Sequence, residues 1–272
     1  MNSQVLHGRT ALVTGGSKGI GRETARLLAS MGAQVYICGR DQDALTAAEG
    51  SLRTAGTVHA HQCDVRDPEA CMALIARIEN EQGRLDVLVC NAGMSMRGTI
   101  EACTPEVIQI MADINYLGAA YMAHFACGLL KASRGSVIFV STLASLHGLP
   151  GMGPYGASKA ALRAFSQSLR SELASWGVHV GLVHVGFTEN DPDKSVYRSD
   201  GSLATIDRRH HAQSQTQTAS CIVSCILHRR REMVLTRLGA AADLIYRLFP
   251  KLSDALILRY TRRNTDMYRT AE

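Results

Sequence analysis

No stretch of the 272-residue chain approaches the roughly eighteen uninterrupted apolar residues that a membrane span needs, so a transmembrane helix is excluded, although a surface-lying one is not. The N-terminus has no basic region followed by an apolar core. Met1 leads instead into the short segment Thr10-Ala11-Leu12-Val13, which gives no secretory signal and sets the expectation of a cytoplasmic protein. The cysteines at 38, 63, 71, 90, 103, 127, 221 and 225 contain no Cys-x-x-Cys pair, and several fall inside apolar runs, as expected of reduced, mostly buried thiols. Internal repeats, low-complexity tracts and linkers are missing between Arg9 and Val185, which reads as one domain. Charge imbalance is missing too, except at one end. Ten Lys/Arg against five Asp/Glu from Ile226 to Glu272 leave nineteen of each sign before that point, so the net charge of +5 belongs to the C-terminal tail. What remains, 46% hydrophobic and 19% charged residues, is an ordinary globular composition with enough apolar material for a sizeable core.

Apolar runs rich in β-branched residues recur at Thr10–Thr14, Gln34–Cys38, Val58–Cys63, Asp86–Cys90, Ser136–Ser141 and His179–Val185, separated by helix-length amphipathic segments. Such runs fit strands buried on both faces. Their alternation with helices predicts an α/β fold, a doubly wound Rossmann-type parallel sheet in a single domain, with a C-terminal helical extension. The expected layout is a core over about 5–190, a polar segment over about 187–217 placed to act as a substrate lid, and a helical tail over about 219–272.

The first strand runs at once into Gly15-Gly16-Ser17-Lys18-Gly19-Ile20-Gly21 and then a helical segment, Arg22–Met31. Glycines allow a tight turn, and the N–H groups of a helix N-terminus suit a pyrophosphate. The spacing Gly-x-x-x-Gly-x-Gly differs from the commoner Gly-x-Gly-x-x-Gly, but its position after strand one favours a dinucleotide site over a mere turn. The second strand ends Cys38-Gly39-Arg40, with no carboxylate for a ribose 2′-hydroxyl. Arg40 offers a guanidinium fork to a 2′-phosphate and Lys18 adds a second positive charge, which favours NADP(H) over NAD(H).

Tyr155-Gly156-Ala157-Ser158-Lys159 follows Pro154 and opens a helix, so Tyr155 and Lys159 share one face a turn apart. A tyrosine with the usual pKa of about 10 is a poor proton carrier, and a nearby ammonium favours its phenolate.

Together these residues resemble the short-chain dehydrogenase/reductase family over roughly residues 5–190: Thr14-Gly15 through Gly21, Asn91-Ala92-Gly93, Asn115 within Asp113-Ile114-Asn115-Tyr116, and Tyr155 to Lys159. The resemblance implies an oxidoreductase interconverting a ketone or aldehyde and an alcohol by hydride transfer. Tyr155 moves the proton, Lys159 lowers its pKa and binds the nicotinamide ribose, and Asn115 holds a water that links Lys159 to solvent. It also implies that Asp64 and Val65 border the adenine and that Asn91, with Ala92 and Gly93, helps fix the cofactor. From its position alone, Asp64 also suits the cap of a helix starting near Pro68. Two departures stand out. The family's carbonyl-orienting serine, thirteen positions before the tyrosine, is Thr142 here. Threonine has the same hydrogen-bonding capacity with a stiffer χ1, so Thr142 is assigned that task; Ser141 points to the other face, and Ser145 is the fallback. After the sixth strand the family's Pro-Gly is Val185-Gly186, and Asn190 stands where a threonine is usual, so Thr188 and Asn190 are expected to hold the carboxamide.

The alternation His59-Ala60-His61-Gln62-Cys63 is read without a metal, because no cluster elsewhere completes a coordination set. The tail pairs Leu244 with Leu248, Ile245 with Phe249 and Leu252 with Leu256, with Arg247, Lys251 and Arg259 among them. Own-domain packing or a homo-oligomer interface is expected there, with peripheral membrane contact as the third reading. Nucleic acid is not an expected partner; a small carbonyl or alcohol substrate, hydrophobic in character, is. The rival function is a non-catalytic NADPH-binding regulatory protein, suggested by the threonine at 142.

Overall fold

The computed structural model describes residues 5–189, 191, 194–205 and 212–263. The six apolar runs fold as strands and a seventh joins them. In chain order the elements are β1 (Thr10–Thr14), α1 (Gly19–Ser30), β2 (Gln34–Gly39), α2 (Gln42–Leu52), β3 (Val58–Gln62), α3 (Pro68–Gln82), β4 (Val87–Cys90), β5 (Met96–Arg97) and α4 (Pro105–Ala112). A π-turn at Asp113–Leu117 leads into α5 (Gly118–Ser133), β6 (Ser136–Thr142), α6 (Gly153–Leu173), β7 (His179–Val185), β8 (Ser195–Arg198) and β9 (Leu203–Thr205). The chain ends with α7 (Gln215–Leu227), β10 (Glu232–Val234), α8 (Arg237–Leu248) and α9 (Pro250–Arg263).

The main sheet has the order β10-β7-β6-β4-β1-β2-β3, and each of its pairings is parallel. Burial on both faces explains why these strands read as continuous apolar runs. In β1, Leu12 joins Leu88, Phe139 and Leu162 in the core under α3, α5 and α6, while Ala11 and Val13 join Ile37, Leu28 and Ile222 under α1, α2 and α7. The result is one doubly wound α/β domain, as expected. At the N-terminal edge Asp86 accepts from the backbone N–H of Thr10 at 2.9 Å and pairs with Arg9 at 2.7 Å and Arg84 at 2.6 Å, so the residue expected to open the fourth strand instead ties it to the first.

Besides β10, which interrupts the expected helical tail over 219–272, two elements differ from the sequence reading. The polar segment expected as a loop carries β8 and β9, which with β5 form a second sheet in the order β5-β8-β9. Helix α1 starts at Gly19, three residues before the expected Arg22, so the last glycines of the loop are already its first turn.

Candidate active site

A cavity of about 1150 Å³ opens at the C-terminal ends of the central strands. It is lined by Gly15, Ser17, Lys18, Gly19, Ile20, Gly21, Arg40, Asp64, Val65, Asn91, Ala92, Gly93, Thr142, Tyr155, Lys159 and Thr188. The sequence-selected residues are thereby brought together, apart from Asn115, which is fully buried beside the cavity, and Asn190, which lies outside the described residues.

The glycine loop is a cradle built by sterics. Gly15 has φ +64°, a left-handed conformation costly to other residues, and a Cβ on Gly21 would overlap the Gly15 carbonyl. Asn91 braces the loop from behind, its amide donating to the carbonyls of Thr14 at 3.0 Å and Gly15 at 3.3 Å. The Thr14 hydroxyl accepts from the N–H groups of Asn91 and Ala92, both at 3.0 Å. Asn91 thus shapes the cradle. No side chain of the N-cap residue caps α1 and its first turn contains no acidic residue, so its N-terminal N–H groups suit an anion, with the Asp191 carboxylate beside Gly19. This donor set fits the pyrophosphate of a dinucleotide. Lys18 and Arg40 are exposed at the rim of the same cavity.

Asp64 does not cap the next helix. Asp67 does, accepting from the Glu69 N–H at 2.9 Å, while the Asp64 carboxylate pairs with Arg66 at 2.6 Å. Burial opposes the Asp64 charge, but the hydrogen bonds from Arg66 prevail and hold its carboxyl below the usual range. His59 and His61 pack on the Tyr36 ring, with centroids 4.9 and 5.5 Å away.

The reactive set comes from β6 and α6. Thr142 is the last residue of β6, and its hydroxyl, which accepts from the Ala144 N–H at 3.4 Å, faces the same cavity as Tyr155, which stands one helical turn before Lys159 on α6. Ser141 faces away and spends its hydroxyl on the Lys159 carbonyl at 3.1 Å and on Ser145 at 2.8 Å. Ser145 donates to the Thr142 carbonyl at 2.6 Å and meets His184 Nδ1 at 3.1 Å, so its hydroxyl braces the Thr142 backbone. Burial raises the Tyr155 pKa, and the Thr142 hydroxyl and the Arg97 charge pull it down. The Lys159 ammonium is directed to the Val140 carbonyl at 2.9 Å, and burial lowers its own pKa to about 8.

The π-turn places Asn115 inward. Its amide donates to the Met94 carbonyl at 2.9 Å and to Ser158 Oγ at 3.2 Å, and its Oδ1 accepts from the Met94 N–H at 3.0 Å. A Cβ on Gly93 would lie 2.8 Å from Asn115 Oδ1 and 3.0 Å from Lys159 Nζ, so the bare glycine leaves room for these groups to converge. Thr188 donates to the Gly186 carbonyl at 3.4 Å and meets the Thr218 hydroxyl at 3.2 Å.

Three contributions escaped the sequence reading. Arg97 and Lys194 line the cavity from the β5 and β8 side, and burial lowers the Lys194 pKa. Behind Thr142, the fully buried His184 joins Ser145 to Glu232 of β10, its Nε2 2.9 Å from Oε1, and Glu232 also pairs with Arg163 of α6 at 3.3 Å. Gly239 and Ala242 of α8 close the far wall. A histidine in an apolar strand was visible in the sequence, but its partners lie 39 and 48 positions away.

A parallel sheet with an anion cradle on its first strand and a Thr/Tyr/Lys set in the same cavity defines a dinucleotide-type oxidoreductase scaffold. The chain belongs to the short-chain dehydrogenase family, whose model matches residues 9–200. It is 28% identical over 243 residues to dehydrogenase/reductase SDR family member 7B of Xenopus laevis, covering 86% of this chain and 75% of that protein. It is 34% identical over 187 residues to the 3-oxoacyl-(acyl-carrier-protein) reductase FabG of Rickettsia bellii, covering 68% and 75%. A metagenomic short-chain oxidoreductase solved in complex with NADP superposes with a TM-score of 0.68 at 28% identity, over 83% of this chain and 92% of that one.

Proposed function

We propose that this oxidoreductase is an NADPH-dependent carbonyl reductase, working in reverse as an alcohol dehydrogenase. The observation that carries the reading is the presence of Thr142, Tyr155 and Lys159 on one cavity wall beside the anion cradle, at the end where Lys159 and Asn115 converge. When bound, the nicotinamide supplies the hydride. Thr142 orients the substrate carbonyl, and Tyr155, held protonated by burial, donates its proton to the oxygen. Lys159 binds the ribose and Asn115 holds the region around Met94 and Ser158 in register. Ser145 and His184 fix the Thr142 backbone, so the hydroxyl meets the carbonyl in one geometry. Arg40 and Lys18 favour the 2′-phosphate, a reading in keeping with the NADP bound by the metagenomic relative. Within the 187–217 segment, Phe187, Lys194, Tyr197 and Leu203 line the cavity and cover the substrate; residues 190, 192–193 and 206–211 lie outside the described residues.

The test is a titration with NADPH and NADH followed by a panel of acyl-chain, steroid and quinone carbonyls. Tight NADPH binding with cofactor consumption on at least one carbonyl is expected. Binding without consumption on any of them favours the regulatory alternative, and failure to bind either nucleotide contradicts the proposal.

A further inference from the structure

Helices α8 and α9 form a hairpin whose polarity is inverted. Apart from the half-buried Ile257, the side chains they turn inward include small and polar ones: Gly239 and Ala242 reach the main cavity, Ser253 is buried, and Tyr246 stacks on His147 with ring centroids 5.4 Å apart. Many of the residues they turn outward are large and apolar. Leu244, Leu248, Phe249, Leu252, Leu256 and Leu258 are all more than half exposed. A helix pair that packs only on its own domain buries the apolar set and exposes the polar one. So many exposed large apolar side chains on one pair of helices mark a contact with something else.

Charge identifies the occupant. Residues 237–263 carry six Lys/Arg against two Asp, and Asp243 is already paired with Arg247 at 2.7 Å. Lys251 and Arg259 are exposed among the leucines. A second copy docked through the same patch would bring two basic sets together, which like-charge repulsion opposes. A surface that is apolar beneath and negative above satisfies both features, and an anionic bilayer is such a surface. The position on the fold agrees. Ala242 and His147 belong both to the main cavity and to a smaller apolar groove of about 150 Å³ completed by Ile245, Tyr246, Leu256 and Ile257.

We infer that the α8–α9 hairpin seats the protein on an anionic membrane surface, its leucines and Phe249 in the acyl boundary and Arg247, Lys251 and Arg259 at the lipid phosphates, with the cavity wall beside the bilayer. The inference is independent of the catalytic reading, since it rests on a face outside the reactive set.

The full chain, saturated with NADPH, would be sedimented with vesicles of phosphatidylcholine alone and of phosphatidylcholine mixed with phosphatidylserine. Binding to the mixed vesicles, weakened by salt, is expected. The triple variant L248S/F249S/L252S and the double variant K251E/R259E should each bind at least about tenfold more weakly. Both should keep the NADPH affinity and melting temperature of the parent, because every substituted side chain is exposed. Absence of vesicle binding, equal binding to neutral vesicles, or binding that neither variant alters would overturn the inference. So would concentration-dependent dimerisation in size-exclusion light scattering that the triple variant removes, which would assign the patch to a second copy.

Discussion

Thr142 is held on both its polar groups, its hydroxyl accepting from the Ala144 N–H and its carbonyl from Ser145, and in the proposed reaction it is this hydroxyl that orients the carbonyl. The Thr142→Ser variant should therefore keep turnover within a few fold, whereas Thr142→Val, which keeps the shape and removes the hydroxyl, should lower kcat by about a hundredfold, the scale of one preorganised donor. Steady-state kinetics on any accepted carbonyl reads the difference. At the other end of the cavity, Arg40→Ala should weaken NADPH binding by about tenfold or more, the worth of a charged hydrogen bond, and leave NADH binding nearly unchanged. Fluorescence titration of the two cofactors measures both. Lys159 sets a pH dependence. Burial brings its pKa down to about 8, so the ammonium is present below that value and lost as pH rises through it. Cofactor affinity should accordingly fall above about pH 8, and Lys159→Arg, which does not deprotonate in this range, should remove that limb even where its overall affinity is lower. The effect on stability has the opposite sign. The unfolded chain holds the Lys159 proton to higher pH than the fold does, so this group makes folding more favourable as pH rises above about 8.

Among the elements, the strand edges carry the polar ties. Asp86 joins β1 to the approach of β4, with Arg9 and Arg84 on a carboxylate that is only 5% exposed. Burial opposes its charge, but the hydrogen bonds of Arg84, Thr10 and Arg9 keep its pKa below the ordinary value. Its contribution is therefore complete above the unfolded carboxylate range and disappears as pH falls through the depressed value. Asp86→Asn should cost about 1–3 kcal/mol at neutral pH and flatten the acid limb of the stability curve, as chemical denaturation at several pH values would register. The same elements explain what the sequence could reveal. β1 and β7 matched their expected ranges because both faces are buried, so every residue signals the strand. β10 is three half-buried residues long and β5 is two residues long, so neither offers a period to detect. The glycine loop, Asn115, Thr142, Tyr155 and Lys159 were legible because they are local motifs or stand at fixed spacing. Arg97, His184 and Glu232 were not, because their roles arise from contacts across the sheet that no local pattern encodes. The hairpin's leucines were visible as a helical stripe, but which way the stripe faces is a property of packing.

On the scale of the whole molecule, the seven-stranded sheet delivers one cradle, one reactive set and one basic rim to a single cavity, and the C-terminal hairpin closes its wall. The central claim is that proton transfer in this cavity belongs to Tyr155. The most direct measurement compares the parent with Tyr155→Phe, following NADPH consumption on an accepted carbonyl alongside NADPH affinity. Loss of turnover by at least about a hundredfold, with NADPH affinity unchanged, is the predicted result, since general acid catalysis contributes on that scale or more. A variant that turns over at a rate close to the parent would contradict the account.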